Sequence, residues 1–117
     1  MNSLHFKRCE FACKCGCGFD VVDVELLAVL EDVREHFGFP VYITSGNRCA
    51  KHNASIGGAE HSKHTVGIAA DFHVATIDDD KVADYLERMY PNKYGIGRYV
   101  GRTHIDVRPT KARWDLR

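Results

Sequence analysis

Residues 62–71 read SKHTVGIAAD, and residues 103–106 read THID. Together they place His64, Asp71 and His104 in the pattern Ser-x-His-x6-Asp, followed later by His-x-Asp. Two imidazoles and one carboxylate are a ligand set that binds zinc while leaving a coordination position open for water. This pattern is more specific than scattered histidines, and it predicts a small hydrolase that holds one zinc ion.

The two halves of the pattern are predicted to lie on neighbouring strands. Alternate side chains of a strand point to the same face, so Asp71 shares a face with Ala69 and His73. His104 and Asp106 share a face of their own strand for the same reason. The three predicted ligands can meet only if these two strands pack side by side, and we expect that packing.

Size and composition predict a single domain, residues 1–117, with one hydrophobic core. The chain has 117 residues, of which 44% are hydrophobic, and this is enough to bury a core. Its 16 basic and 16 acidic side chains cancel, which gives no reason to expect nucleic acid as a partner. No apolar stretch approaches the roughly 18–20 residues that span a bilayer. We expect a monomer with no membrane span.

Residue periodicity predicts an α+β fold, in which a small antiparallel sheet has helices packed on one face. A first helix is predicted over 21–37, capped by Asp20 or Asp23 and ended by Gly38. A second helix is predicted over 81–90, after aspartates that the helix dipole favours. The predicted strands are Val41–Thr44, Ile68–Val74, Tyr94–Tyr99 and Arg102–Val107. The last two would form a hairpin.

Two segments are predicted to be irregular. Residues 1–19 form a cysteine- and glycine-rich segment, which Phe6, Phe11 and Phe19 would anchor to the core. Residues 45–67 form a polar loop, and a loop of this length inside a compact domain is usually functional or disordered.

Four of the five cysteines lie close together in the sequence, at Cys9, Cys13, Cys15 and Cys17, and Cys49 stands apart. The odd count, in a chain whose N-terminus lacks a secretory signal, argues against complete pairing in disulfides. The Cys-x-Cys-x-Cys spacing does not match the two-residue spacing of a zinc knuckle. Free, partly buried thiols are favoured, and a structural metal or one disulfide to Cys49 is the alternative.

Three motifs resemble those of the zinc D-Ala-D-Ala carboxypeptidases and related murein endopeptidases. They are Ser45-x-x-Arg48, Ser62-x-His64-x-x-Gly67-x-Ala69-x-Asp71 and His104-Ile105-Asp106. The resemblance is strongest to the short, single-domain branch of that family in phages and bacteria, and it covers nearly the whole chain. It implies the hedgehog/DD-peptidase fold and a zinc metallopeptidase. The implied substrate is a peptidoglycan stem peptide containing D-alanine, cut by a carboxypeptidase or an endopeptidase.

The resemblance also implies roles for single residues. Zinc would be bound by His64, Asp71 and His104. Arg48 would hold a substrate carboxylate or carbonyl oxygen, for which its fork of donors is suited, and a loop-bracing salt bridge is its alternative role. Ser62 would hydrogen-bond the substrate or orient the metal site. Separately from the resemblance, residues 1–8 lack the apolar core of a secretory signal, so we expect a chain that is cytoplasmic as synthesised or has lost a leader, and that reaches the cell wall after phage-type lysis or release.

The general base departs from the family pattern. Better-studied members have an acidic residue three positions before the last histidine ligand, where this chain has Gly101. Another related pattern has a histidine two positions before that ligand, where Arg102 stands. Asp106 is the first candidate for the base, and its alternative role is to accept the second ring N–H of a zinc-bound histidine. His61 is a weaker candidate.

Gly101 also leaves a second function open, a non-catalytic zinc-stabilised module of the same fold that binds the cell wall or a protein. A cysteine hydrolase is a third, weaker hypothesis, because no base accompanies the clustered thiols.

Overall fold

The core of the structure is a five-stranded sheet. The computed structural model describes residues 3–58 and 62–117. The strands are β1 (Val41–Ser45), β2 (Ala69–Val74), β3 (Gly95–Tyr99), β4 (Arg102–Asp106) and β5 (Ala112–Asp115). The helices are α1 (Val24–Phe37), α2 (Ala50–Ser55) and α3 (Asp79–Met89), and two 3-10 turns span Arg8–Phe11 and Lys63–Val66.

The strands lie in the order β1-β2-β4-β3-β5. Every neighbouring pair is antiparallel except β3 and β5, which run parallel. The predicted α+β class is therefore confirmed. The predicted neighbourhood of β2 and β4 is confirmed as well, since the two strands pair directly.

Helix α1 shows why these residues form a helix where they do. Leu26, Leu30 and Val33 recur at helical spacing, and all three are buried. The Asp23 carboxylate caps the first turn by accepting from the N–H groups of Glu25 and Leu26. The helix therefore begins at Val24, three residues later than predicted. It ends at Phe37, and the next residue, Gly38, has a left-handed φ of 75°.

One face of the sheet carries the hydrophobic core. Phe72 of β2 and Ile105 of β4 are fully buried there, together with Leu30 of α1 and Leu86 of α3. Both α1 and α3 contact the sheet, so the predicted packing of helices on one side is confirmed for these two. Alternation along β2 turns Asp71 to the opposite face.

One prediction of an irregular segment was wrong in part, and one strand was missed. Residues 45–67 contain α2 and the Lys63–Val66 turn, and α2 is capped by the sulfur of Cys49, a signal that hydrophobic periodicity does not carry. Strand β5 was not predicted, because it is short and its parallel pairing with β3 is non-local.

The N-terminal segment packs on the chain that follows β1. Phe6 and Phe11 are buried in the core as predicted, whereas Phe19 is only half-buried and lies outside the core cluster. The N–H of Asn47 donates to the carbonyl of Phe11 at 2.9 Å. A Cβ at position 46 would stand 2.6 Å from the Cα of Phe11. Only a glycine at this position therefore lets the two backbone segments lie so close together.

Each helix of the described residues is too short or too polar to reach across a lipid bilayer.

Candidate metal centre and cleft

The strand register aligns one residue from every strand in a row across the sheet. Asp71 pairs with Ser45 on one side and with His104 on the other, and Gly97 separates His104 from Trp114. Side chains of directly paired residues lie on the same face. Two of the three predicted ligands are thus neighbours on the face that turns away from the core.

His64 reaches this face from the turn that precedes β2. The hydroxyl of Ser62 accepts from the N–H of His64 at 3.2 Å and so begins the turn, and Gly67 ends it with a φ of 75°. The Nδ1 of His64 donates to the carbonyl oxygen of Gly46 at 2.6 Å, because a carbonyl can only accept. The lone pair of Nε2 therefore faces Asp71, whose Oδ1 is 3.3 Å away.

His104 lies between two carboxylates. Its Nδ1 is 2.9 Å from Oδ1 of Asp71, and its Nε2 is 2.8 Å from Oδ2 of Asp106. His64, Asp71 and His104 are all buried, and each offers a ligand atom within 4.8 Å of the others. When Nε2–H of His104 donates to Asp106, its Nδ1 is free to bind a metal, so the three ligands fit one zinc ion.

The charges of this cluster favour a cation. Burial raises the pKa of Asp71, but the ring nitrogens of His104 and His64 beside its carboxylate outweigh burial and hold that pKa well below its usual range. The pKa of Asp106 is also depressed, because hydrogen bonds from His104 and Arg108 outweigh burial. Burial lowers the pKa of His104, and the two carboxylates outweigh it and raise that pKa. Both carboxylates are therefore ionised at neutral pH.

Asp106 is enclosed by its partners. It is 0% exposed, and besides His104 it accepts from Nε of Arg108 at 2.7 Å and from a terminal guanidinium nitrogen of Arg108 at 2.8 Å. A Cβ on Gly95, the directly opposite residue of β3, would stand 2.3 Å from Oδ2 of Asp106. The carboxylate therefore occupies the space that this glycine leaves.

Arg48 holds the other side of Asp71. A terminal nitrogen of its guanidinium donates to Oδ2 of Asp71 at 3.1 Å, and Nε donates to the hydroxyl of Ser45 at 3.1 Å. A third donor reaches Oδ1 of Asn53 at 3.4 Å. The bracing salt bridge, which was the alternative role of Arg48, is thus present, and it braces a predicted metal ligand.

A cleft of about 520 Å³ is lined by the three clustered side chains. Its basic lining residues are Arg48, Lys63, Arg102 and Arg108. Among the described residues, Asp71 is the one carboxylate in this lining. The cleft therefore favours a ligand that carries negative charge.

Comparison with known proteins identifies the family. A family model described as Peptidase M15 matches residues 4–106. The chain belongs to this family. M15 includes the zinc D-Ala-D-Ala carboxypeptidases, so the resemblance seen in the sequence is confirmed, and the chain is a zinc-metallopeptidase domain. None of the curated proteins matches it.

M15 membership agrees with the zinc dependence expected from the clustered side chains. The structure brings together His64, Asp71 and His104 and surrounds them with the predicted Arg48, Ser62 and Asp106. His73 lies apart from this set and pairs with Asp79 at 3.1 Å. Gly101 is exposed, at a φ of 81° in the turn between β3 and β4. His61 lies outside the described residues.

Sequence reasoning missed the wall that Trp114 contributes to this cleft. The indole lies across Gly97, where a Cβ would stand 2.4 Å from its Nε1, and its ring centroid is 4.9 Å from that of His104. Nε1 donates to the hydroxyl of Tyr99 at 2.8 Å. Glycines inside a strand often mark a close approach, so Gly95-x-Gly97 was the signal that could have revealed it.

Proposed function

We propose that this chain hydrolyses amide bonds of peptidoglycan stem peptides that contain D-alanine. In this proposal one zinc ion is held by His64, Asp71 and His104. The observation that carries the proposal is the convergence of these ligand atoms within 4.8 Å beside a basic cleft. Three protein ligands are the number typical of catalytic zinc, which supplies a Lewis acid that activates water and polarises the scissile carbonyl group.

The substrate class is supported by the charge of the cleft. A peptide that ends in D-alanine carries a terminal carboxylate, and guanidinium groups bind carboxylates well. Arg48 uses three of its five N–H groups on described partners, so two remain for a substrate oxygen. Arg102 adds a half-exposed guanidinium 3.8 Å from Oδ2 of Asp71. We assign substrate binding to Arg48, with Ser62 beside it in the lining.

Asp106 has two candidate roles, as general base or as partner of His104. Its complete burial and its bonds to His104 and Arg108 favour the second. A carboxylate in this place fixes the ring so that Nδ1 points to the metal, and it increases the basicity of the ligand. We propose that Asp106 acts on the reaction through His104.

The function can be tested with purified zinc-loaded protein and D-alanine-containing stem peptides. Mass spectrometry should detect free D-alanine if the protein is a carboxypeptidase, or cleaved cross-links if it is an endopeptidase. His64→Ala should abolish product formation. His73→Ala is the matched control, because this histidine of β2 lies outside the ligand set, and its variant should remain active.

A non-catalytic binding module is the second candidate, and one observation favours it. Gly101 replaces the usual acidic residue, and the described lining of the cleft contains no carboxylate besides Asp71. Zinc-loaded protein that binds isolated cell walls without releasing any product would contradict the peptidase proposal and support this module.

A further inference from the structure

A second cluster of side chains that could hold a metal ion lies apart from the His64–Asp71–His104 cluster. Cys13, Cys15, Cys17 and Cys49 each offer a sulfur within 4.8 Å of the other three. The Sγ of Cys15 is 3.4 Å from that of Cys13 and 3.6 Å from that of Cys49. All five cysteines of the chain are free thiols, and Cys9 does not belong to the cluster.

These separations match tetrahedral thiolate coordination. Four sulfurs that each lie about 2.3 Å from zinc stand about 3.8 Å from one another in a regular tetrahedron. The observed 3.4 Å and 3.6 Å are close to that edge. A disulfide would need two sulfurs about 2.05 Å apart and would serve only one pair at a time.

The backbone of the N-terminal segment folds so that three sulfurs converge. The N–H of Cys13 donates to the carbonyl of Phe19 at 2.8 Å, and the N–H of Gly16 donates to the carbonyl of Cys13 at 3.2 Å. Gly16 and Gly18 have φ values of 80° and 91°, which residues with a side chain rarely adopt. The loop therefore depends on glycine between and after its cysteines.

Backbone N–H groups point at two of the sulfurs. The N–H of Cys49 donates to Sγ of Cys13, and the N–H of His52 donates to Sγ of Cys49, each at 3.4 Å. Hydrogen bonds to sulfur favour the thiolate, and the thiolate is the form that binds metals. Two separate stretches of chain thus present sulfurs prepared for a soft cation.

We propose that Cys13, Cys15, Cys17 and Cys49 bind a second zinc ion in a closed structural site. Four protein ligands complete a tetrahedral shell and leave no position for substrate or water. The ion would join the N-terminal segment to the start of α2.

This link bears on the cleft, because Arg48 immediately precedes Cys49. The N–H of Arg48 donates to the carbonyl of His64 at 3.0 Å, and its guanidinium holds Asp71. The structural zinc therefore fixes the segment that positions Arg48 beside the first site. The inference depends on the four sulfurs and does not require that the chain be a peptidase.

The test is a count of zinc per chain by elemental analysis of protein purified under reducing conditions. We expect two ions in the unaltered chain, one in Cys15→Ser and one in His64→Ala. Cys9→Ser is the matched control and should keep both. One ion in the unaltered chain together with no change in Cys15→Ser would overturn the proposal, and so would iron in place of zinc.

Cobalt substitution of the unaltered protein gives a readout that does not depend on folding of the cysteine variants. Unaltered protein loaded with cobalt should show thiolate-to-cobalt charge-transfer absorption, and His64→Ala should keep it. X-ray absorption at the zinc edge should show zinc–sulfur distances of about 2.3 Å. A spectrum with only nitrogen and oxygen neighbours, or a mass that reveals a disulfide among the four cysteines, would contradict the second site whatever the hydrolysis assay gives.

Discussion

The His64–Asp71–His104 cluster and the four-cysteine cluster are built on different parts of the fold. The first lies on paired strands and one turn, is buried throughout, and has partners behind its ligands. The second lies on two irregular segments, and Cys15 and Cys17 are exposed. Two ligands on a rigid sheet and a third on a hydrogen-bonded turn suit a site that must keep one position open, whereas four ligands on loops suit a site that only joins segments.

The comparison predicts that the two clusters depend on metal in different ways. Charge pairs and hydrogen bonds already hold the first cluster together. The described contacts at the sulfurs of the second cluster are N–H to sulfur bonds and contacts between the thiols themselves, with no charge pair among them. Loss of the first ion should therefore affect activity most, and loss of the second should affect stability most.

The largest effect is expected for Asp71→Ala. The variant loses one metal ligand and leaves Arg48 and His104 without their shared carboxylate. Breaking a buried ion pair costs about 3–5 kcal/mol, and hydrolysis should fall below detection. Urea unfolding and the stem-peptide assay measure the two effects. Asp84→Ala removes an exposed partner of Arg98 and should change stability by less than about 1 kcal/mol. An active Asp71→Ala would refute the ligand assignment.

For Cys15→Ser we expect a large loss of stability and only a small loss of activity. A ligand present at about a thousand times its Kd stabilises the folded state by about 4 kcal/mol, and the variant should lose an amount of this order. Hydrolysis should persist, reduced by about tenfold at most, because Ser45, Asn53 and Asp71 still contact Arg48. Thermal unfolding with and without added zinc measures the loss. If zinc stabilises the variant and the unaltered chain equally, the contrast between the clusters is wrong.

Asp106→Asn tests which of its two proposed roles Asp106 has beside His104. If Asp106 orients His104, the variant should lose about 10–100-fold in zinc affinity or activity. Competition with a chromogenic chelator measures the affinity, and kcat/KM is measured at saturating zinc. Unchanged zinc affinity with abolished hydrolysis would instead make Asp106 the general base.

The smallest effect is expected for Gly97→Ala. Its Cβ would stand 2.4 Å from Nε1 of Trp114, and such overpacking costs about 1–3 kcal/mol. In a Trp114→Ala background the same change should cost much less, because the indole is gone. A double-mutant cycle by urea unfolding isolates this coupling. An equal loss of unfolding free energy in both backgrounds would mean that the indole does not restrict which side chain fits at position 97.

Local signals explain what the sequence could predict. Helix α1 and the β3–β4 hairpin follow from periodicity, a cap and a turn, all within a few residues of one another. The ligands His64, Asp71 and His104 are predicted because two imidazoles and a carboxylate at this spacing are a zinc ligand set, and their meeting at one ion then requires β2 and β4 to be neighbours.

The remaining features depend on contacts between distant parts of the chain. Strand β5 joins the sheet by pairing in parallel with β3, which precedes it by more than ten residues in the chain. The meeting of Cys49 with Cys13 depends on how the segment after β1 packs on the N-terminal segment. The two roles of Asp106 could not be separated by sequence, because the choice depends on which ring nitrogen of His104 faces it.

Trp114 is the only tryptophan of the chain, and its ring lies 4.9 Å from the imidazole of His104. The tryptophan fluorescence of the protein thus arises from one indole beside a proposed metal ligand. Occupancy of this site by a quenching ion such as copper or cobalt can therefore be followed optically, without a label, while the four-cysteine cluster is followed by its own absorption.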